Sequence, residues 1–157
     1  MRNIWDDRPS KLKNITDEMI AKAEQFFGIR LPPTYINLLK IKNGGGVKYD
    51  AYPTSIKNSW ADDRVPFDQM AGIDESNDGL NSIYMTPYMI KEWDLPSEII
   101  LLSGNGHRWI VLDYRHNKHS KPAVTYLDVD SEQDFTLTNS FDEFVQGLKK
   151  ESDFEDA

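Results

Sequence analysis

Two apolar runs, Ile99-Ile100-Leu101-Leu102 and Trp109-Ile110-Val111-Leu112, flank Ser103-Gly104-Asn105-Gly106, and nothing else in the chain constrains the fold as much. A strand with one wet face alternates apolar and polar residues, whereas an unbroken apolar run needs cover on both faces. A short turn rich in glycine and asparagine joins neighbouring antiparallel strands. The pair is therefore expected at the centre of a sheet with helices on at least one side. Val124, Tyr126 and Leu127 mark a further strand after the turn at 117–122.

Helices bracket these strands. Thr16 suits an N-cap, Asp17 and Glu18 complement the helix dipole, and Ile15 and Ile20 occupy the positions of a hydrophobic staple. Met19, Ile20, Ala23, Phe26 and Phe27 repeat at helical spacing, and Gly28 closes the helix. Pro32-Pro33 forbids continuation but suits the start of a second helix, whose apolar face is Tyr35, Leu38, Leu39 and Ile41 and whose end is Asn43-Gly44-Gly45-Gly46. Val47, Tyr49 and Ala51 then alternate with polar residues as in a half-buried strand, and residues 65–73 read as a second. Ile83–Trp93 reads as a helix, with Thr86-Pro87 starting its second half. Ser140 and Glu143 form a capping box, followed by the stripe Phe141, Phe144, Val145 and Leu148.

This order predicts an α+β fold: a largely antiparallel sheet with an N-terminal helical hairpin and a C-terminal helix packed on it. One domain is expected over residues 1–157. Residues 1–14 form an N-terminal arm that Trp5 clamps onto the domain, and 151–157 an acidic tail that frays.

Charge narrows the function. The net charge is −8, and residues 128–157 carry all of it, with ten acids against two bases. Such a chain is a poor nucleic-acid binder, because phosphate contacts come from clustered lysine and arginine. An acidic strip on a neutral body suits a basic protein partner, although it also serves solubility. Asp128, Asp130, Glu132 and Asp134 are the candidates, bounded by structured segments. Trp60, with Asp62 and Asp63 close by, is an aromatic in a polar stretch. It reads equally as an interface anchor or as cover for the core edge. No run approaches the roughly 18 apolar residues of a membrane span. The N-terminus lacks a signal peptide's apolar core, so a cytoplasmic location is expected.

Catalytic chemistry finds little support. There is no cysteine, no G-x-S-x-G and no phosphate-binding loop. His107, Asp113, His116 and His119 lie close in sequence and define a metal-dependent hydrolase as a rival reading, but His116 and His119 fall in a basic, exposed hairpin loop. Asp128–Asp134 starts like a calcium loop but has Gln133 where glycine belongs and Asn139 where the bidentate glutamate belongs, which favours an acidic hairpin edge. No enzyme activity, cofactor or metal is expected.

Ile20…Phe26-Phe27-Gly28-Ile29-x-Leu31-Pro32-x-x-Tyr35-x-x-Leu38-Leu39, then Asn43-Gly44-Gly45, resembles the SUKH superfamily, which includes a yeast cell-wall-synthesis regulator and many bacterial proteins. Gly104-Asn105-Gly106…Ile110-Val111-Leu112-Asp113, Val124-x-Tyr126 and Ser140-Phe141-x-x-Phe144 extend the likeness over residues 15–150. The resemblance implies a non-enzymatic α+β binding module. In its bacterial branch it implies an immunity protein that binds the C-terminal toxin domain, often a nuclease, of a cognate polymorphic toxin. No catalytic or binding residue transfers with it. The alternative is a cytoplasmic regulatory adaptor with a housekeeping partner.

Overall fold

The computed structural model describes residues 2–76, 81–116 and 121–154. Helix α1 (Asp17–Phe27) starts where the Thr16 side chain accepts the Met19 N–H at 3.2 Å and stops at Gly28, whose φ of 68° is left-handed. Ile20 and Ala23 are buried, but Phe26 is 60% exposed and leans on Phe27 and Tyr84 instead of entering the core. Helix α2 (Pro33–Ile41) follows the proline corner and buries Tyr35, Leu38 and Leu39. Ile41, expected on that face, is exposed.

Asn43 explains the turn that follows. Its buried amide donates to the Ile73 carbonyl at 2.9 Å and accepts the Ile73 N–H at 2.8 Å, standing in for a strand partner. Gly44 (φ 83°) then passes so close to Gly72 that a Cβ would meet its backbone nitrogen at 2.6 Å.

The alternation at 47–51 and the apolar residues of 65–73 do not form two continuous strands. They form one interrupted hairpin: β1 (Gly45–Gly46) and β2 (Ala51–Pro53) run against β3 (Arg64–Pro66) and β4 (Gln69–Met70), with β1 on β4 and β2 on β3. Between the pairs Gly46–Gln69 and Ala51–Pro66 the residues 47–50 face only 67–68, so the ladder bulges there. The N-terminal arm pairs along the free edge of the same segment, with Lys48 N–H donating to Ile4 and Asp6 N–H to Gly46. Trp5 bridges to Val47 and its indole donates to the Leu38 carbonyl at 2.9 Å, so this tryptophan does clamp the arm.

A 3-10 turn (Ile83–Met85) leads into α3 (Thr86–Trp93), and the chain then builds the main sheet. Strands β5 (Ile99–Asn105), β6 (Arg108–Asp113), β7 (Ala123–Asp128) and β8 (Gln133–Thr138) are all antiparallel, in the order β5-β6-β7-β8. The apolar runs occupy β5 and β6, and β6 and β7 are buried on both faces almost throughout. Strand β8 was not anticipated. Its residues alternate half-buried and exposed, the pattern of an edge.

Helix α4 (Phe141–Gly147) is capped by Ser140, which accepts the Glu143 N–H at 3.1 Å. Phe144 stacks on Tyr52 at 4.8 Å and meets Phe67 edge-on at 4.9 Å, which docks α4 against the hairpin. A phenylalanine buried to this degree stabilises the fold by about 1.5–3 kcal/mol over an exposed one. Glu151–Phe154, the start of the tail expected to fray, forms a 3-10 turn held by Arg64, which donates to Glu151 at 2.6 Å, and by Asp50, which accepts the Glu151 N–H at 2.7 Å. Residues 155–157 lie outside the described residues.

Candidate functional site

The tip of the interrupted hairpin, residues 54–63, carries Trp60. Asn58 folds this loop around itself. Its side-chain oxygen accepts the N–H groups of Trp60 (2.8 Å) and Ala61 (3.2 Å), and its amide donates to the Arg64 carbonyl at 3.0 Å. Trp60 is thereby held at the rim, 46% exposed, with the Arg108 guanidinium 5.3 Å from its ring centroid. That geometry gives a cation–π contact that holds the exposed ring in place. Beside it opens a groove of about 360 Å³ between the hairpin and the β5–β6 end of the sheet, lined among others by Pro66, Asp68, Asn105, Arg108 and Tyr126.

Two hydrogen bonds tie the loop to the β7–β8 turn. Ser59 Oγ donates to Asp128 Oδ2 at 2.6 Å, and the Gln133 amide donates to the Lys57 carbonyl at 2.7 Å. Asp128 and Gln133 are cross-strand partners, so both project from the same face of the sheet. The two sequence patches, around Trp60 and around Asp128–Asp134, are therefore parts of one surface.

Asp128 itself is not on that surface. It is 0% exposed and accepts from Ser59, from His107 Nδ1 at 2.9 Å and from the Ser131 N–H at 3.2 Å. Burial works to raise its pKa, but the hydrogen bonds from Ser59, His107 and Ser131 outweigh it and hold the carboxyl below the ordinary range. An ionised carboxylate facing Nδ1 puts the imidazole proton on that nitrogen. Nε2 lies 3.6 Å from Asp130 Oδ2.

Serine, histidine and aspartate meet here, but their connectivity is wrong for acyl transfer. A nucleophilic serine needs the imidazole between itself and the carboxylate. Here the carboxylate is the centre, and Ser59 is bonded to it directly. The arrangement is a latch.

The remaining acids divide by position. Asp62 is exposed and 3.7 Å from Lys57, and Asp63 accepts from Arg64 at 2.8 Å. Asp130 is 76% exposed, and Glu132 is exposed at the turn with φ of 54°. Asp134 follows Gln133 in the strand and so faces the opposite side of the sheet. There it shares Arg115 with buried Asp113, at 2.7 and 2.8 Å, and Asp113 also accepts from Thr125. The structure thus ties the Trp60 loop to the β7–β8 turn and leaves Asp62, Asp63, Asp130 and Glu132 exposed on those two segments. It buries Asp128 between them and turns Asp134 to the other side of the sheet.

The residues of the hydrolase reading are dispersed. His107 precedes β6 and Asp113 ends it, about 20 Å apart at the rise of a strand. His116 is exposed, and His119 lies outside the described residues. The calcium-like segment is the β7–β8 turn, where the carboxylate at its first position is spent on Ser59, His107 and Ser131. Ser59, Asn58 and Arg108 escaped the sequence reading. Asn58-Ser59 carried a turn signal, but nothing in the sequence told which distant group would receive the serine.

The chain is an α+β domain in which a polar network centred on Asp128 fastens an exposed aromatic loop to the main sheet. No helix among the described residues is long and apolar enough to cross a membrane. The family model SUKH_6, described as SMI1-KNR4 cell-wall, matches residues 17–145, from the start of α1 into α4, and the chain belongs to that family. The family takes in immunity proteins and SMI1/KNR4-like proteins. No curated protein and no solved structure matches the chain.

Proposed function

We propose that this chain is a cytoplasmic immunity protein that binds and neutralises the nuclease toxin domain of a cognate polymorphic toxin, with no reaction performed by its own side chains. The observation that carries the reading is the latched Trp60 loop beside exposed carboxylates, Asp62, Asp63, Asp130 and Glu132. A nuclease must present basic residues to phosphate, so a rigid acidic surface can occupy the same site. Trp60 supplies the desolvated anchor such interfaces centre on, and the carboxylates speed encounter and set orientation. Asp128 acts from beneath this surface by holding the loop, and Asp134 stands apart from it on the other side of the sheet, where it holds Arg115.

The test is co-expression with the toxin domain encoded beside the gene, followed by measurement of growth and of nuclease activity in the purified complex. The expected result is a stable complex without nuclease activity. Reversal of Asp62, Asp63, Asp130 and Glu132 to lysine is expected to slow association at least about tenfold and to flatten its salt dependence. A complex that forms with unchanged rate and salt dependence moves the interface elsewhere. Failure to bind or protect overturns the reading.

A further inference from the structure

The four-stranded sheet has two edges, and they are treated differently. Strand β5 is covered, because the Ala71 N–H donates to the Leu102 carbonyl at 2.8 Å and Thr86 Oγ1 accepts the Leu101 N–H at 3.1 Å. Strand β8 has no such cover. Among the described residues, no backbone group of Gln133–Thr138 bonds to anything but β7. Alternate N–H and C=O groups of an antiparallel edge point away from its neighbour and are ready to pair.

Edge strands are ordinarily blunted by proline, lysine, bulges or covering loops. Strand β8 contains no proline and no lysine. Its one irregularity lies at Leu137, which the register skips between Thr136 and Thr138 and which leaves Gln133–Thr136 regular. Four residues of regular edge suffice for strand addition of the kind used by short extended ligands.

Charge selects the occupant. Residues 122–148 hold six acids and no lysine or arginine. Asp130 and Glu132 precede the edge and Asp142 and Glu143 follow it, all exposed. Of the bases near the edge, Lys57 pairs with Asp62 and Arg115 with Asp113 and Asp134. Lys121 and Arg30 line a separate groove with Asp142 beyond the end of the strand, so the acids that precede the edge do most of the selecting. A second copy of this chain is disfavoured in either direction. Antiparallel pairing sets the acids before one β8 against those after the other, and parallel pairing stacks each acid on its equivalent.

We infer that the outer edge of β8 is a strand-addition site for an extended segment of a protein partner with lysine or arginine at both ends. The inference rests on the docking reading above for there being a protein partner, but not on that partner being a nuclease. Main-chain pairing along Gln133–Thr136 supplies register, and the flanking acids supply orientation.

The probe is a blocked octapeptide with two lysines at each end and alternating valine and threonine between. It is titrated into the full chain with amide chemical shifts recorded. The largest shifts are expected at Gln133–Thr136. Affinity is expected to fall at least about tenfold when the lysines become glutamates or when alternate peptide nitrogens are methylated. Thr136→Lys, at an exposed position, is expected to keep the wild-type Tm and lose the response. Shifts centred on the Trp60 groove, indifference to methylation, or a dimer joined through β8 overturns the inference. Failure of the peptide alongside toxin neutralisation sinks the edge and leaves the proposed function standing. Peptide docking without neutralisation does the reverse.

Discussion

Two buried aspartates sit at opposite ends of the central strands and solve the same problem differently. Asp113, at the end of β6, is met by an arginine: Arg115 forks onto it at 2.9 and 2.8 Å, and Thr125 donates at 2.8 Å. Asp128, at the end of β7, forms no ion pair with lysine or arginine among the described residues, although Arg108 stands opposite it in the register. It is met by a serine, an imidazole and a backbone N–H. The Asp113 partners lie within twelve residues of it in sequence, whereas Ser59 is 69 residues from Asp128. One network secures the sheet's own strands. The other fastens a distant loop to it, so its loss reaches the surface proposed for docking.

The largest effect expected is the loss of Asp113. In Asp113→Ala, Arg115 keeps only Asp134 and the buried Thr125 hydroxyl loses its acceptor, so urea unfolding should show destabilisation of about 3–5 kcal/mol. Asp128→Ala breaks no ion pair to lysine or arginine among the described residues, and its donors lie where water can reach them once the loop lifts. A cost of about 1–3 kcal/mol is expected. An Asp128 variant less stable than the Asp113 variant would mean that the Asp128 network also holds the sheet together.

Acid sharpens the same contrast. Burial acts to raise both carboxyls, but hydrogen bonds hold both below the ordinary value of 3.8, to which the unfolded chain returns them. The unfolded state therefore binds protons first, and the stability these groups contribute is complete above about pH 4–5 and lost as pH falls through their depressed folded values. Urea midpoints measured from pH 6 to pH 3 should fall for the wild type. Asp128→Asn lacks one of the two groups and should fall less steeply, starting from a lower midpoint at pH 6.

Much of the fold was legible because its signals are local. Thr16, Gly28, Pro33, Ser140 and Glu143 mark helix ends through bonds or backbone angles that span a few residues. The apolar runs of β5 and β6 announce burial on both faces wherever the neighbours come from. Strand β8 escaped because Gln133-Asp134 at its start reads as the tail of an acidic turn and only Phe135 and Leu137 alternate after it. Residues 47–51 misled for the opposite reason. Their alternation is real, but the opposite arm of the hairpin offers only residues 67–68 against 47–50, and the strand bulges. Of the candidate site, the sequence showed which residues are acidic or aromatic but not which way each faces. Asp128 and Asp130 look alike in a line of acids, and only the pairing of β7 with β8 turns one inward and leaves the other out.

The loop latch yields a smaller and more selective effect. Ser59→Ala removes one hydrogen bond from Asp128 while His107 and Ser131 remain, so global stability should drop by about 1 kcal/mol. Hydrogen exchange should accelerate in residues 54–63 and stay unchanged in β6 and β7, because local opening draws on the loop's own contacts. Equal acceleration in both regions would mean that Ser59 supports the sheet and not the loop.

The smallest effect on stability belongs to the outermost acids. Asp130 and Glu132 project from the turn, and among the described residues Asp130 meets His107 alone, at 3.6 Å. Exposed groups of this kind contribute little, and Asp130→Lys with Glu132→Lys should move the unfolding free energy by no more than about 0.5 kcal/mol. Asp134→Lys should cost more than this pair, because it places a cation against Arg115, which Asp134 now holds at 2.7 Å. The ordering Asp128, Asp134, then Asp130 with Glu132 follows from how far each carboxylate is drawn into the protein. Association with a basic partner should follow the reverse order for direct contact, since only carboxylates left unspent inside the molecule can be offered outside it. A double variant at Asp130 and Glu132 that unfolds as easily as Asp128→Ala would place those two acids in the framework and remove them from the docking surface.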